Sequence, residues 1–412
     1  MSYRRAAALV KGSFLATWSR KEYRALLLVM LLAGVSVSSY VPLVTLFLVE
    51  ALGVGYASAG LFTLTFLAAA PVGLYVGRLS DRVSSRVPLI AGTALWLALG
   101  RLAMGLAPNF ATALAVGVVF GAFVGVLNAQ VFAVLKDVFE REGEEREATV
   151  ASTVRTGYSL GWALGPVLGS LLAGWLGYRV ALAATAVFLL TALIPLRGLD
   201  VGRARSDRQE AEGRLPEIGE AGTRRFGSVA LWVFGLACLL ALTGETVRLA
   251  YLPILAVDRL GIGLGLFGAL VAVAPVAELV AMPSAGMLAD RWGLGRVFLG
   301  GLAVGALGFW AFATSEGAWG LLAGQLLNAC FIAVVFGLGV TYAQRLSPGE
   351  AGFAASVFFG AQSVSALTGG LAGSGGVRLV GLPGMFFLPA SLCAVACLLF
   401  AWNDRRRSGE NE

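Results

Sequence analysis

The chain has 412 residues, 58% of them hydrophobic and 13% charged, with a mean hydropathy of +0.81. A soluble domain carries roughly 25% charged residues, so a soluble fold is excluded and an α-helical membrane protein is indicated. The net charge of +7 does not point to nucleic acid, because the charges bunch in short clusters such as Arg78–Arg86 and Arg203–Arg225 between apolar runs, where basic residues report membrane orientation.

Residues 1–24 read as a basic cytoplasmic segment. Arg4, Arg5, Lys11, Arg20, Lys21 and Arg24 leave apolar stretches too short for the core of a cleaved signal. Phe14, Leu15 and Trp18 would face lipid if the segment lies on the membrane surface as a helix; a solvated tail fits equally. Membrane spans are then expected at 25–49, 57–77, 87–107, 110–135, 148–175 and 179–196, and again at 228–256, 262–288, 295–314, 318–344, 351–374 and 380–402. Each has the length, about 20 residues, needed to cross about 30 Å of hydrocarbon. Between the two sets lies 197–227, rich in Arg, Glu and Gly. It has too few large apolar residues to bury, so it reads as a cytoplasmic linker. The expected fold is therefore an all-α integral membrane protein with 12 transmembrane helices in two pseudo-symmetric six-helix bundles, 25–196 and 228–402, followed by a cytoplasmic tail, 403–412.

Basic residues orient this arrangement. Of the 31, 25 fall in the segments on one side, only Arg179, Arg259 and Arg378 fall on the other, and Arg101, Arg155 and Arg248 lie within spans. This bias places both termini in the cytoplasm. Cys238, Cys330, Cys393 and Cys397 all sit in apolar spans, and the chain has no His, so neither a metal site, a cofactor nor a disulfide is expected.

Gly77-Arg-Leu-Ser-Asp-Arg82 ends the second span and Gly286-Met-Leu-Ala-Asp-Arg291-Trp-Gly293-Leu-Gly-Arg296 ends the eighth, with Asp81 and Asp290 209 residues apart. A repeated half is typical of transporters that bind substrate between halves. Glycine lets helices approach closely, and Arg82 can pair with Asp137 below the fourth span. The fifth span carries Gly161-x-x-x-Gly165-Pro166-x-x-Gly169, a smooth packing face with a loosened backbone.

Polar residues inside spans need a cavity or a partner. In the fifth span Arg155, Tyr158 and Trp162 form one stripe, and in the tenth Gln325 and Asn328 are three apart. Asn128 and Gln130 of the fourth span point to different sides, so one of them at most lines a cavity. Ser36 and Tyr40 share a face of the first span, and Gln362 lies in the middle of the eleventh. A hydrogen bond between helices is an equal reading for each. Together they describe a cavity of uncharged hydrogen-bonding groups, suited to a sugar. Glu245 and Arg248 of the seventh span are three apart and can pair on one face, as a structural ion pair or as part of the site. Glu278, in the middle of the eighth, has no partner on its own helix and suits a group that gains and loses a proton.

The paired loops resemble the G-x-L-x-D-R-x-G-R/K motif of the major facilitator superfamily in both its usual places, although Ser84 and Ser85 replace a Gly and a basic residue in the first copy. The resemblance implies the major facilitator fold. It also implies a cytoplasmic gate latched by Asp81, Arg82 and Asp290, with Asp137 and Arg291 beside them. The fifth-span motif is similar to one common in exporters of the superfamily. More narrowly, the chain resembles the bacterial sugar efflux transporter family. The residues that carry this are Pro42-Leu-Val-Thr-Leu-Phe-Leu, Arg155-x-x-x-Ser159-x-x-Trp162-x-x-Gly165-Pro166, Glu278-Leu-Val-Ala-Met282, Gln325-Leu-Leu-Asn328-Ala-x-Phe331-Ile332 and Pro348-Gly-x-Ala-Gly. Departures are Tyr40, where that family has an amide, and Tyr251, near which relatives carry an acid.

That resemblance implies a monomeric, non-enzymatic exporter of sugars or glycosides in the bacterial inner membrane, working by alternating access in exchange for protons. Tyr40, Asn128, Arg155, Tyr158, Trp162, Glu245, Gln325, Asn328 and Gln362 would bind substrate, and Glu278 and Glu245 would couple protons. The rival reading is a multidrug or amphiphile exporter of the same fold. A membrane sensor lacks its soluble domain here, and an intramembrane enzyme lacks a nucleophile–base or metal constellation.

Overall fold

The computed structural model describes residue 18 and residues 20–80, 82–83, 85–142, 147–197, 199, 229–347 and 351–410. The expectations for the segment before Trp18, for Asp81, for nearly all of the linker and for Pro348 lie outside these residues. Every element described is helical. In chain order they are α1 (Lys21–Leu46), α2 (Tyr56–Leu61), α3 (Ala69–Ser80), α4 (Val87–Leu106), α5 (Phe110–Gly121), α6 (Val124–Glu142), α7 (Glu147–Thr191), α8 (Leu193–Leu196), α9 (Val229–Pro253), α10 (Leu264–Trp292), α11 (Leu294–Ala313), α12 (Ala318–Leu346), α13 (Ala351–Leu379) and α14 (Phe387–Glu410).

Among the described residues, 10 helical stretches are long and apolar enough to cross a membrane. One of them, Thr153–Leu196, holds two arms of α7 joined at Gly177, whose φ of 76° only glycine adopts without strain. Helix α13, 29 residues long, falls outside the 10; it is rich in Gly, Ala and Ser. The expectation of 12 spans is met in part: one of the 10 stretches bends and covers the expected fifth and sixth spans, and the expected eleventh, in α13, lies outside them. Large apolar side chains point outward, among them Leu106, Trp175, Trp319 and Leu379, each at least 77% exposed. That surface suits hydrocarbon and not water.

The chain folds as two compact units. The first comprises Met1–Tyr40, Ala68–Gly165 and Arg179–Arg224. Its core is a cluster of Leu26, Val29, Met30, Ile90, Val131, Val134 and Val154 from α1, α4, α6 and α7. The glycine face expected on the fifth span packs against α1. A Cβ on Gly161 would lie 2.4 Å from the Leu31 carbonyl oxygen, and Ser38 Oγ donates to the Gly161 carbonyl at 3.0 Å while Ser39 Oγ donates to that of Gly165 at 2.7 Å. Close backbone approach with serine cross-links is the usual substitute for hydrophobic driving force in a bilayer. Arg179 Nη1 donates to the carbonyls of Gly105 and Ala107 at 3.2 and 2.7 Å, capping the C-terminal end of α4 with a cation.

The second unit comprises Val41–Leu67, Pro166–Tyr178 and Arg225–Glu412. Here α13 spends its small residues on close contacts: a Cβ on Gly369 would lie 2.4 Å from Thr246, on Gly370 2.4 Å from Thr63, and on Gly373 2.4 Å from the Tyr251 ring. Phe234, Phe298, Tyr342 and Phe400 form an aromatic cluster with centroids 4.9–6.3 Å apart. Tyr342 Oη donates to Asp404 Oδ1 at 2.9 Å.

Within this unit the backbone reveals a second duplication. Val49-Glu50-Ala51-Leu52-Gly53-Val54-Gly55 and Val257-Asp258-Arg259-Leu260-Gly261-Ile262-Gly263 lie 208 positions apart. Both end a long helix through a π-turn, Phe47–Ala51 and Ile254–Arg259, and both place glycine at φ 64°. Equivalent hydrogen bonds close the two turns: Leu52 N to Phe47 O and Leu260 N to Leu255 O, then Val54 N to Leu48 O and Ile262 N to Ala256 O.

Candidate functional site

Helix α9 supplies the centre of the polar cluster in the second unit. Glu245 and Arg248 sit one turn apart, and the guanidinium forks onto the carboxylate: Nε donates to Oε2 at 2.8 Å and Nη2 to Oε1 at 2.5 Å. The third donor, Nη1, reaches α12 and meets Gln325 Oε1 at 2.8 Å. Gln325 in turn donates through Nε2 to the Leu270 carbonyl of α10 at 3.0 Å. One chain of hydrogen bonds therefore ties three helices together, and Arg248, Gln325 and Asn328 are 7%, 0% and 1% exposed. Asn328 stands one turn beyond Gln325, and its Nδ2 is buried without an acceptor. Glu278 of α10 is half-buried and close enough to interact electrostatically with both Glu245 and Arg248.

The Arg248 guanidinium is thus held by Glu245 and Gln325, with Glu278 within electrostatic reach. Sequence reasoning paired Glu245 with Arg248 and left Glu278 alone; the fold brings all three together and recruits Gln325. Arg248, which stood outside the expected binding set, is the centre of this chain of hydrogen bonds, and its position inside a span was the signal that it needed such partners.

The expected residues of the first unit divide into engaged and open groups. Tyr40 is covered: the Arg101 guanidinium carbon lies 3.5 Å from its ring centroid, and both residues are buried. Among the described residues no carboxylate pairs with Arg101, so the ring face carries the compensation for its charge. Ser36, on the same face of α1, donates to the Thr185 carbonyl at 3.1 Å. This face of α1 therefore turns into the unit. Of the α6 pair, Gln130 is buried and accepts from Ser80 Oγ at 2.6 Å, while Asn128 is only half-buried. Tyr158 and Trp162 place their rings 6.3 Å apart, and Trp162 Nε1 is buried without an acceptor. Arg155 and, in the second unit, Gln362 are exposed.

In the loop cluster, Asp137 pairs with Arg86 at 2.9 Å, and Arg86 Nη1 also donates to the Ala133 carbonyl at 3.1 Å. Arg82 is exposed. The expected Arg82–Asp137 pair is thus corrected to Arg86–Asp137: Arg86 sits one turn nearer to α4, where its guanidinium is buried against α6. Asp290 and Arg291 are exposed at the end of α10.

Chemically, the first unit offers one orphan N–H donor, Trp162 Nε1, and the second offers another, Asn328 Nδ2, beside a cation held by a carboxylate and an amide. Such groups recognise hydroxyl-rich or oxygen-bearing molecules by hydrogen bonding.

The profile of the Major Facilitator Superfamily matches residues 26–274 and 234–412. Sugar efflux transporter A of Dickeya chrysanthemi is 31% identical over 357 residues, covering 85% of this chain and 87% of the relative. Sugar efflux transporter A of Escherichia coli (strain K12) is 26% identical, covering 92% and 95%. Among solved structures, the nucleoside transporter NupG superposes with a TM-score of 0.76 at 14% identity, covering 93% of this chain and 99% of that one. The peptide transporter POT in complex with sulfate gives 0.72 at 14%, covering 93% of each. These two likenesses speak for the fold alone. The chain belongs to the major facilitator superfamily and, within it, to the family of the sugar efflux transporters.

Proposed function

We propose that the protein exports small sugars or glycosides across the bacterial plasma membrane as a monomer, by alternating access and in exchange for protons. The names of the relatives support the substrate class. The observation that carries the mechanism is the Glu245–Arg248–Gln325 chain with Glu278 beside it. With both acids ionised the trio holds one excess negative charge. A proton on Glu278 removes that excess and leaves Glu245 in undivided possession of Arg248. A sugar hydroxyl that takes over the Gln325 or Asn328 amide competes for the same hydrogen bonds, so proton and sugar prefer different arrangements of α9, α10 and α12. Exchange follows from that competition when two six-helix bundles, 25–196 and 228–402, rock about a midplane site. The bias of basic residues supports cytoplasmic termini. Asp81, Arg82, Asp137, Asp290 and Arg291, now with Arg86, are proposed to stabilise closure on that side.

The test uses proteoliposomes with an imposed pH gradient, following labelled lactose or a thiogalactoside alongside a lipophilic cation dye. Gradient-driven sugar movement without dye movement, lost in Glu278→Gln, is expected. Sugar movement that stays uphill in Glu278→Gln removes the proton role. Movement of the dye alone transfers the function to the amphiphile exporters, the reading favoured by the Gly161–Pro166 motif.

A further inference from the structure

Buried charge is balanced unequally along the chain. In the second half Arg248 meets Glu245 and Gln325. Arg101 and Arg155 lie inside spans of the first half, and none of the six spans expected there, from 25–49 to 179–196, contains an Asp or Glu. Arg101 of α4 is 5% exposed, and among the described residues its Nε meets no acceptor and its guanidinium no carboxylate. Its contact is the ring of Tyr40, whose centroid lies 3.5 Å from the guanidinium carbon. A ring face supplies part of the compensation that a buried cation needs, and it leaves the Nε–H unmatched.

The contact between α1 and α7 sets further donors at the same level of the unit. Ser38 and Ser39 donate to the carbonyls of Gly161 and Gly165. Tyr40 follows this serine pair directly in α1, and Trp162 stands between the two glycines in α7. Trp162 Nε1 is a second buried N–H without an acceptor. The Trp162 ring lies 6.3 Å from that of Tyr158, which is within electrostatic reach of Arg101. Arg155, one turn before Tyr158, is exposed and has no carboxylate partner among the described residues. The exposed leucines Leu160 and Leu164 occupy the opposite flank of α7, so the stripe of Arg155, Tyr158 and Trp162 is not its lipid face. Tyr158 and Trp162 are only half-buried, which leaves the stripe accessible, with Arg101 as the buried end of the cluster.

Donors without acceptors call for a ligand group made of acceptors. A hydroxyl brings a proton that needs an acceptor of its own. An ionised carboxylate brings two oxygens and no proton, and its shape matches the guanidinium fork. One buried cation is also balanced by one negative charge. We propose that the first unit holds a carboxylate subsite, formed by Arg101 and Trp162 with the Tyr40 ring against the guanidinium and Arg155 at the exposed end, and that the substrates are sugar acids. The proposal rests on the export reading above and deepens it by naming the substrate class. A sugar with hydroxyls alone leaves the Arg101 charge without a counter-charge, whereas a sugar acid supplies one.

The experiment titrates the detergent-solubilised full chain at neutral pH and constant ionic strength with galacturonate, galactose or acetate, and reads the rise in melting temperature. Galacturonate is galactose with its primary alcohol oxidised to a carboxylate, and acetate is the carboxylate without the sugar. Hydrogen bonds to a buried charged group predict half-saturation by galacturonate at a concentration at least about tenfold below that of galactose. Arg101→Gln keeps N–H donors and removes the charge, and it is expected to bring the two concentrations together. No shift with galacturonate, equal half-saturation by the two sugars, or a preference that survives Arg101→Gln overturns the proposal. Acetate acting at the same concentration as galacturonate also overturns it, because the sugar then contributes nothing. Should Arg101→Gln fail to fold, Trp162→Phe keeps a ring and removes the indole N–H; an undiminished preference for galacturonate there overturns the subsite as well. Lactose export in vesicles is scored separately. Export of lactose without a galacturonate preference removes the subsite alone, whereas a galacturonate preference without lactose export spares the subsite and removes the neutral sugars from the export reading.

Discussion

Replacing Glu245 with Gln tests whether the polar chain on α9 is held as tightly as its geometry implies. The carboxylate accepts two hydrogen bonds, at 2.8 and 2.5 Å, from a guanidinium whose side chain is only 8% exposed. Gln at this position can keep one of them and cannot supply the charge. Removing one partner of a buried pair costs roughly 3–5 kcal/mol, because the other charge stays buried without compensation. At roughly 2–4 °C per kcal/mol for units of this size, the melting temperature of the detergent-solubilised protein should fall by about 6–20 °C. The decisive comparison adds Arg248→Met. If the cost of Glu245→Gln comes from stranding Arg248, the double variant is more stable than Glu245→Gln alone, since an apolar side chain of similar reach leaves no buried charge. Thermal unfolding at one fixed scan rate for all variants keeps kinetic effects equal. A loss below about 1 kcal/mol for Glu245→Gln, the value of an exposed pair, or simple additivity of the two substitutions, would refute the reasoning.

Two further expectations follow from the first unit. Gly161→Ala places a methyl group 2.4 Å from the Leu31 carbonyl oxygen, a backbone atom with nowhere to go; it should lower stability by roughly 1–3 kcal/mol in the same melting assay, whereas Gly92→Ala, which meets nothing within 4 Å, should not. In the loop cluster, Arg86→Ala should reduce turnover in reconstituted vesicles and the melting temperature, and Arg82→Ala should leave the melting temperature unchanged; equal effects on stability would return Arg82 to the place of Asp137's partner.

Helix positions were readable because an apolar run of sufficient length has one use in a bilayer, and charge clusters mark its ends. Helix α13 shows the limit of that signal. Its glycines serve packing against Thr246, Tyr251 and Thr63, and the same small residues lower its hydropathy. The glycine face of α7 was readable for the converse reason: spacing by four puts Gly157, Gly161 and Gly165 on one side, and all three meet α1. The duplicated π-turns escaped the sequence because their repeat lies in common residues, Val, Leu and Gly. What distinguishes them is backbone conformation, φ 64° at Gly53 and Gly261, which only the folded chain displays.

The polar groups divide along the same line between local and distant information. Glu245 with Arg248 could be paired from sequence because both lie on one helix, and helical geometry fixes their separation. Arg248 with Gln325 could not, since that contact depends on how α9 and α12 are rotated about their axes, a quantity set by the packing of every neighbouring side chain. The same holds for Arg101 over Tyr40, where the sequence states only that a cation inside a span needs compensation. Arg78, Arg82 and Arg86 recur at intervals of four near one end of α3 and α4, and each satisfies the rule that an arginine near the membrane surface seeks an acid. Choosing among them requires the depth of Asp137, 4% exposed, because only a guanidinium that can itself be buried gains from joining it. Selection by shared burial, and not by sequence proximity, also decides which acids become coupled: Glu278 comes within electrostatic reach of Glu245 and Arg248 across helices in the interior, although it is 30 residues from the nearer of them in the chain.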